Sequence, residues 1–276
     1  MSTFAVTGSA SGIGAACLAR LRAAGHRTIG LDKTNADVAA DLSTAEGRTY
    51  AIDAVRRACD GVLDGMVACA GLGPLSGLPG GLLAAVNYFG AVQLFEGLRP
   101  CLAASGSSAV VAVSSSSTST QPGIPHALVD ACLAGPEAAA IALADELGAV
   151  ATYPATKLAL ARWVRANAVA AEWIGAGIRI NAVAPGMIET PMTSGADLDP
   201  ELAKLLDVYP VPQGRRGRPE EVASVIEFLL DERSALLCGS VLFADGGTDA
   251  LLRGADWPAV WEPDAAELTT RLNLPS

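Results

Sequence analysis

A chain of 276 residues is ordinary for one α/β unit, and no low-complexity linker or solenoid-period repeat divides it, so a single domain spanning 1–276 is expected. Its formal charge of −10 disfavours nucleic acid and anionic membranes as partners, because both reward a basic face, and serves solubility instead. Six scattered cysteines without a CxxC pair, and only two histidines, argue against a disulfide framework and a zinc site; reduced thiols and no metal are expected.

From the start, Thr3-Phe4-Ala5-Val6 reads as a strand and Ala15 to Ala24 as a helix. Between them runs Thr7-Gly8-Ser9-Ala10-Ser11-Gly12-Ile13-Gly14. Gly8 allows a tight reversal, Gly12 brings bare backbone against a pyrophosphate, and Gly14 packs the helix on the sheet. Unpaired N–H groups around Ser11, Gly12 and Ile13 then meet the phosphates at the positive end of the helix, which outlines a dinucleotide site. A second apolar run, Arg27 to Leu31, ends in Asp32. An acid there accepts both ribose hydroxyls of NAD and repels the extra phosphate of NADP. Lys33 beside it is able to receive that phosphate, so NAD is favoured and NADP stays open. His26 is placed at the C-terminal end of the first helix. Asp41-Leu42 closes the next short apolar run, either to hold an adenine or, through Asp41, to cap a helix starting at Ser43.

From Met66 to Phe95 the chain carries no charge, long enough to raise the question of a membrane span. Pro74, Pro79, Asn87 and Gln93 interrupt it, and a buried strand, loop and helix account for the same residues. Met1-Ser2-Thr3 shows no charged leader, so the cytoplasm is expected. Ala109 to Val113 reads as a buried strand ending in Ser114-Ser115-Ser116-Ser117, which puts hydroxyls where open α/β sheets bind ligands. A serine there can donate to a substrate oxygen as charge develops on it.

The alanine-rich stretch Gly135 to Ala149 reads as a helix. Tyr153 and Lys157 then stand four apart on one face of a helical pattern running to about Trp173, with Pro154 in its first turn. A phenol with a pKa of roughly 10 is a poor base near neutral pH, but an adjacent ammonium favours the phenolate. Tyr153 is thereby suited to exchange a proton with an alcohol or carbonyl oxygen. Strands alternating with helical patterns from Thr3 to Phe243 predict a doubly wound parallel sheet with helices on both faces. Beyond it, a C-terminal extension at about 250–276 carries Trp257 and Trp261, either to cap a substrate cleft or to bury a subunit contact, the contact being favoured.

With these pieces in place the chain resembles the short-chain dehydrogenase/reductase family along most of its length, in the subset whose fingerprint reads TGxxxGxG. Beside that fingerprint and the YxxxK pair stand Cys69-Ala70-Gly71, Asn87, Asn181-Ala182-Val183-Ala184-Pro185-Gly186 leading to Thr190, and Asp245-Gly246-Gly247. The resemblance implies a Rossmann-type fold in which Ser115 steadies the substrate oxygen and Tyr153 transfers the proton. It implies that Lys157 lowers the pKa of Tyr153 and binds the nicotinamide ribose, and that Asn87 holds a water relaying protons from Lys157. Ala70, Gly71, Pro185 and Gly186 would line the cofactor, with Ile188 and Thr190 on its carboxamide.

Two departures stand out. Cys69 replaces the family's asparagine and removes an amide that braces the cofactor loop. Ser115 and Tyr153 are thirty-eight residues apart, which leaves an insertion at about 118–150. That insertion, with Asp41 to Arg48, Cys69 to Pro74, Val86 to Ala91 and Ala223 to Leu229, resembles the bacterial 3α-hydroxysteroid dehydrogenase/carbonyl reductase branch. The likeness implies NAD-dependent interconversion of a hydrophobic secondary alcohol and its ketone, a 3α-hydroxysteroid being favoured over a terpenoid or other cyclic alcohol. It also implies that the insertion covers a helical dimer face, so that the homo-oligomer, dimer or tetramer, meets elsewhere or is smaller. Leu72, Pro74, Met187, Ile188 and Met192 are expected to form an apolar substrate wall. A non-catalytic NAD-binding regulator on the same fold is the competing class; it has no need of Asn87, Ser115, Tyr153 and Lys157 together.

Overall fold

The computed structural model describes residues 1–74, 77–194, 204 and 208–272; the last residues of the expected C-terminal extension lie outside them. Strands β1 (Thr3–Thr7), β2 (Arg27–Asp32), β3 (Val38–Ala39), β4 (Gly65–Ala68), β5 (Ser108–Val113), β6 (Ile178–Pro185) and β7 (Val241–Ala244) form one sheet. Its order is β3-β2-β1-β4-β5-β6-β7, and every neighbouring pair is parallel. The order reverses between β1 and β4, so a crevice opens there at the carboxyl ends of the strands.

Alternation along the strands divides the core in two. Ala5, Met66, Ala68, Val110 and Ala112 face one layer, built from α2 (Ala45–Ala58), α4 (Gly90–Ser105) and α7 (Glu137–Asn167). Phe4, Val6, Val67, Val111 and Val113 face the other, where α1 (Gly12–Ala23) packs beside a later helix, Pro219–Leu230. β4 and β5 are buried at every residue, as strands covered on both faces must be. The helical stretch Gly80–Ser105, which lies within the uncharged segment and runs past it, is 26 residues long and apolar enough to cross a membrane, yet 72% of its apolar window is buried within the fold.

The segment between Ser115 and Tyr153 holds more helix than the sequence suggested. It contains α5 (Ser117–Thr120), α6 (His126–Ala134) and the first half of α7. The expected helix Gly135 to Ala149 starts later, after Pro136 at the N-cap, and breaks at Gly148, whose φ of 77° and ψ of 167° are not helical. Because the break sets the restart, Pro154 lies beyond the first turn of the second half, not within it. α7 then ends at Asn167 rather than near Trp173. Trp173 is buried edge-on against Trp163, with ring centroids 5.6 Å apart, and this contact turns the chain toward β6. Gly80 allows α3 (Gly80–Ala84) to press on α7, since a Cβ there would lie 1.9 Å from the Ala144 carbonyl oxygen. Asp145 adds a 2.7 Å hydrogen bond from the Gly81 N–H, which ties the inserted segment to the body.

Two local expectations are corrected. His26 lies past the end of α1; its ring packs edge-on against Phe4, and its Nδ1 accepts the Ser2 N–H at 3.4 Å. The cap of α2 is Thr44, whose hydroxyl accepts the Gly47 N–H at 3.0 Å. Asp41 is one turn too early to reach those groups and bonds Ser43 instead.

Candidate active site

The crevice holds a cleft of about 550 Å³ that runs from the glycine turn to Tyr153. Its floor is set by backbone contacts that exclude any side chain. A Cβ on Gly8, where φ is +67°, would lie 2.7 Å from the Ala70 nitrogen, and one on Gly14 would lie 2.1 Å from the Gly8 carbonyl oxygen. Ser11 is extended at the N-cap and its side chain caps nothing, so the first N–H groups of α1 face the cleft without an intrahelical partner. That uncapped helix start and tight glycine cradle fit a pyrophosphate.

At the end of β2, Asp32 accepts the Ala10 N–H at 3.0 Å and the Lys33 N–H at 2.7 Å, which aims its carboxylate along the cleft rim. Lys33 is drawn aside, with its Nζ 2.9 Å from Asp41 Oδ2. A cation that is paired in this way is less available for an added phosphate. Hydrogen bonds from Ser43, then Lys33, hold Asp41 down at about 2. Leu42, Ala70, Gly71, Pro185, Gly186, Ile188 and Thr190 line the same cleft, so all the expected cofactor residues converge. Gly186 is needed for closure, because a Cβ there would lie 2.7 Å from the Asp245 Cα.

The brace lost with asparagine at Cys69 is supplied by neighbours. Thr7 Oγ1 accepts the Ala70 N–H at 3.0 Å, and the Asn87 side chain grips Leu72 through both its N–H (2.7 Å) and its carbonyl (3.0 Å). Asn87 sits in a π-helical turn, Ala85–Phe89, between α3 and α4. It stands behind Gly71, outside the cleft wall, and its amide is committed to bracing the loop.

The Ser115 hydroxyl stands close enough to Tyr153 to favour its phenolate, and Ser115 Oγ accepts the Ser117 N–H at 3.2 Å. Lys157 is buried beside them, with its Nζ 2.8 Å from the Val113 carbonyl and 6.0 Å from the Tyr153 ring centroid. The expected lowering of Tyr153 by Lys157 is not what the surroundings produce. Burial raises the phenol above its ordinary value, the nearby Ser115 hydroxyl opposes this, and a second phenol, Tyr209, adds to the rise. Burial also brings Lys157 down to about 8, because a desolvated ammonium is disfavoured.

The apolar wall differs from expectation at two positions. Leu72, Ile188 and Met192 line the cleft, whereas Pro74 and Met187 do not. Met187 sits at a bend just before Ile188 and lines a second pocket with Val211 and Gln213. Gly73 turns under Met192, which carries Pro74 off the wall. In their place stand Leu78, Leu82 and Val86. Leu82 and Val86 stand four apart on one helical run, which was a signal in the sequence, whereas Leu78 precedes that run. Tyr209 gave no such signal; a 2.5 Å hydrogen bond to Thr120 Oγ1 brings it in from a distant segment. Among the described residues no cluster of three or more His, Cys, Asp or Glu lies together.

Known proteins share this arrangement. The chain is 41% identical over 256 residues to the 3-alpha-hydroxysteroid dehydrogenase/carbonyl reductase of Comamonas testosteroni, covering 92% of this chain and 98% of that one. The crystal structure of the 3-alpha-hydroxysteroid dehydrogenase from Pseudomonas sp. B-0831 complexed with NADH superposes with a TM-score of 0.87 at 45% identity, over 93% of this chain and all of that one. A shorter likeness, 37% over 131 residues, links it to the cis-4-hydroxycyclohexanecarboxylate dehydrogenase of Sinomonas cyclohexanicum, over 46% of this chain and 50% of that one. A family model described as enoyl-(acyl carrier protein) reductase matches residues 144–249, and that of the NAD dependent epimerase/dehydratase family matches 4–186, the nucleotide-binding part. Near-complete likeness to the hydroxysteroid dehydrogenases carries this further than the nucleotide-binding part: the chain belongs to the short-chain dehydrogenase/reductase family, an oxidoreductase fold shared at its dinucleotide-binding half with the epimerases.

Proposed function

We propose that the protein interconverts a hydrophobic secondary alcohol and its ketone with NAD, a 3α-hydroxysteroid being the favoured substrate. The observation that carries this is the convergence of Ser115 and Tyr153 beside buried Lys157, at an end of the cleft walled by Leu72, Leu78, Leu82, Val86 and Met192. Bound NAD supplies the two-electron acceptor or donor. Gly8, Ser11, Gly12, Ile13 and Gly14 seat its pyrophosphate, Asp32 its ribose, and Asp41 with Leu42 its adenine. Ala70, Gly71, Pro185 and Gly186 form the walls, Ile188 and Thr190 meet the carboxamide, and Lys157 meets the second ribose. Tyr153 holds or releases the proton at the substrate oxygen while Ser115 donates to that same oxygen. Asn87 sets the Leu72 wall, and any water it passes protons through is held by its backbone carbonyl, since its side chain is committed.

Turnover of a panel of 3α-hydroxysteroids, terpenoid alcohols and simple cyclic alcohols with NAD or NADP tests this. Reduction of NAD on the steroids is the expected result. Turnover on small cyclic alcohols alone would move the substrate toward the second reading, which the cyclohexanecarboxylate dehydrogenase likeness favours. Measurable NADH binding without turnover on any alcohol would favour a regulator.

The pH dependence should split by direction. A phenol raised by burial is protonated near neutrality, which suits ketone reduction, whereas alcohol oxidation needs the phenolate. Oxidation is therefore expected to keep climbing from neutral pH to beyond the ordinary tyrosine value, and reduction to hold level until Tyr153 itself titrates above that value. Parallel profiles in the two directions would contradict the assignment of Tyr153.

The inserted segment packs Leu128, Val129, Cys132, Ala140 and Ala144 into the core beside α3, so that face is already covered. We place the homo-oligomer contact on the C-terminal segment, where Trp257, Val260 and Trp261 are 62%, 79% and 54% exposed. Solution mass should drop for Trp257→Ser/Trp261→Ser, and an unchanged assembly would move the contact elsewhere. Six free thiols suit a reducing compartment, the cytoplasm.

A further inference from the structure

Between the inserted segment and the adenine end of the cleft lies a buried polar cluster that the proposed chemistry does not use. Arg48, on α2, is 2% exposed. Its Nη2 lies 2.7 Å from both oxygens of Glu137, the first residue of α7. Its Nε donates to Gln93 Oε1 on α4 at 2.8 Å, and Gln93 in turn donates to Glu137 Oε2 at 3.1 Å. The remaining arm, Nη1, donates to the carbonyl oxygen of Leu42 at 3.1 Å. Leu42 lines the cleft. Its backbone is pinned on other sides as well: a Cβ on Gly90 would sit 3.3 Å from the Leu42 Cβ, and one on Gly47 would sit 2.0 Å from the Asp41 carbonyl oxygen.

We infer that Glu137 is a positioning residue for the adenine side of the cofactor cleft, acting through Arg48 on the Leu42 carbonyl. The physical reason is the cost of a buried cation. Arg48 has almost no access to water, so its charge must be met by a carboxylate, and Glu137 is the one that meets it. Guanidinium geometry then fixes the direction of the other N–H groups, because the fork is planar and rigid. With Glu137 in place, one arm is aimed at Leu42. Without it, the guanidinium must seek other acceptors or solvent, and Leu42 is released. The segment inserted between Ser115 and Tyr153 thus does two things: it packs over α3, and the first turn of α7 within it holds the loop on which adenine rests.

The inference rests on the NAD reading of the cleft, so the test uses a ligand that probes the adenine half alone. ADP-ribose binding would be measured by calorimetry on the parent and on Glu137→Gln, together with kcat and KM for NAD. Glu137→Gln should weaken ADP-ribose about tenfold, equivalent to about 1.4 kcal/mol, and raise KM for NAD similarly, with kcat at saturating NAD within about twofold. Glu137→Asp, which keeps the charge, should recover part of the affinity, and it also serves if the amide variant folds poorly. Leu128→Ala, buried elsewhere in the inserted segment, should lower Tm without changing ADP-ribose affinity. A folded Glu137 variant that binds ADP-ribose like the parent would overturn this inference and leave the NAD reading intact. A parent that does not bind ADP-ribose would overturn the NAD reading, and this inference with it.

Discussion

Tyr153→Phe is expected to reduce turnover by about 10²–10⁴-fold, the range over which positioned proton transfer contributes, with NADH affinity changed by less than about twofold. The ring stays and keeps its packing; only the hydroxyl that exchanges the proton is removed. Ser115 Oγ keeps the Ser117 N–H at 3.2 Å, so its placement should survive. Lys157 remains anchored by its 2.8 Å bond to the Val113 carbonyl. The loss should therefore fall on kcat, in both directions of reaction, and NADH titration by fluorescence should be nearly superimposable with that of the parent. Turnover surviving in the phenylalanine variant would show that another group moves the proton. Tyr209 would be examined first, since it is close enough to Tyr153 to raise its pKa.

Gly14→Ala should be nearly as damaging by a different route. The added Cβ would sit 2.1 Å from the Gly8 carbonyl oxygen and 2.7 Å from the Gly8 carbonyl carbon, both backbone atoms that cannot rotate away. Nor can Gly8 retreat, because its own Cα side faces the Ala70 backbone, and its φ of +67° already demands glycine. One methyl must therefore lift α1 off the turn. Overpacking of this kind costs about 1–3 kcal/mol. Because the moved atoms are the helix N–H groups proposed to meet the pyrophosphate, NADH affinity should fall by about 10–100-fold, as about 1.4 kcal/mol per tenfold requires. Gly175→Ala is the control, since a Cβ there meets nothing nearer than the Ala171 Cβ at 3.7 Å. It should shift stability by less than about 0.5 kcal/mol. Unchanged NADH affinity in Gly14→Ala would show that the turn relaxes and that the cradle is not as tight as described.

The sequence on its own determined the strand-turn-helix at Thr7 to Gly14, the acid at Asp32, the serines after β5 and the Tyr153–Lys157 pair. These were legible because each is local. Glycines at a turn, a carboxylate at a strand end and residues four apart on a helix depend on the backbone period, and the period is written in the chain. Tertiary structure alone decided the rest. Whether Thr7 could replace the missing asparagine at position 69 depended on β1 and β4 lying side by side, sixty-three residues apart. The direction in which Tyr153 is shifted depended on what packs around its hydroxyl, and desolvation set it rather than the charge four residues away. Likewise, Arg48, Gln93 and Glu137 come from three helices, and nothing in their separate surroundings marks them as a unit. Long-range pairs carry no periodic signature; only folding, which buries a charge and obliges it to find a partner, brings them together.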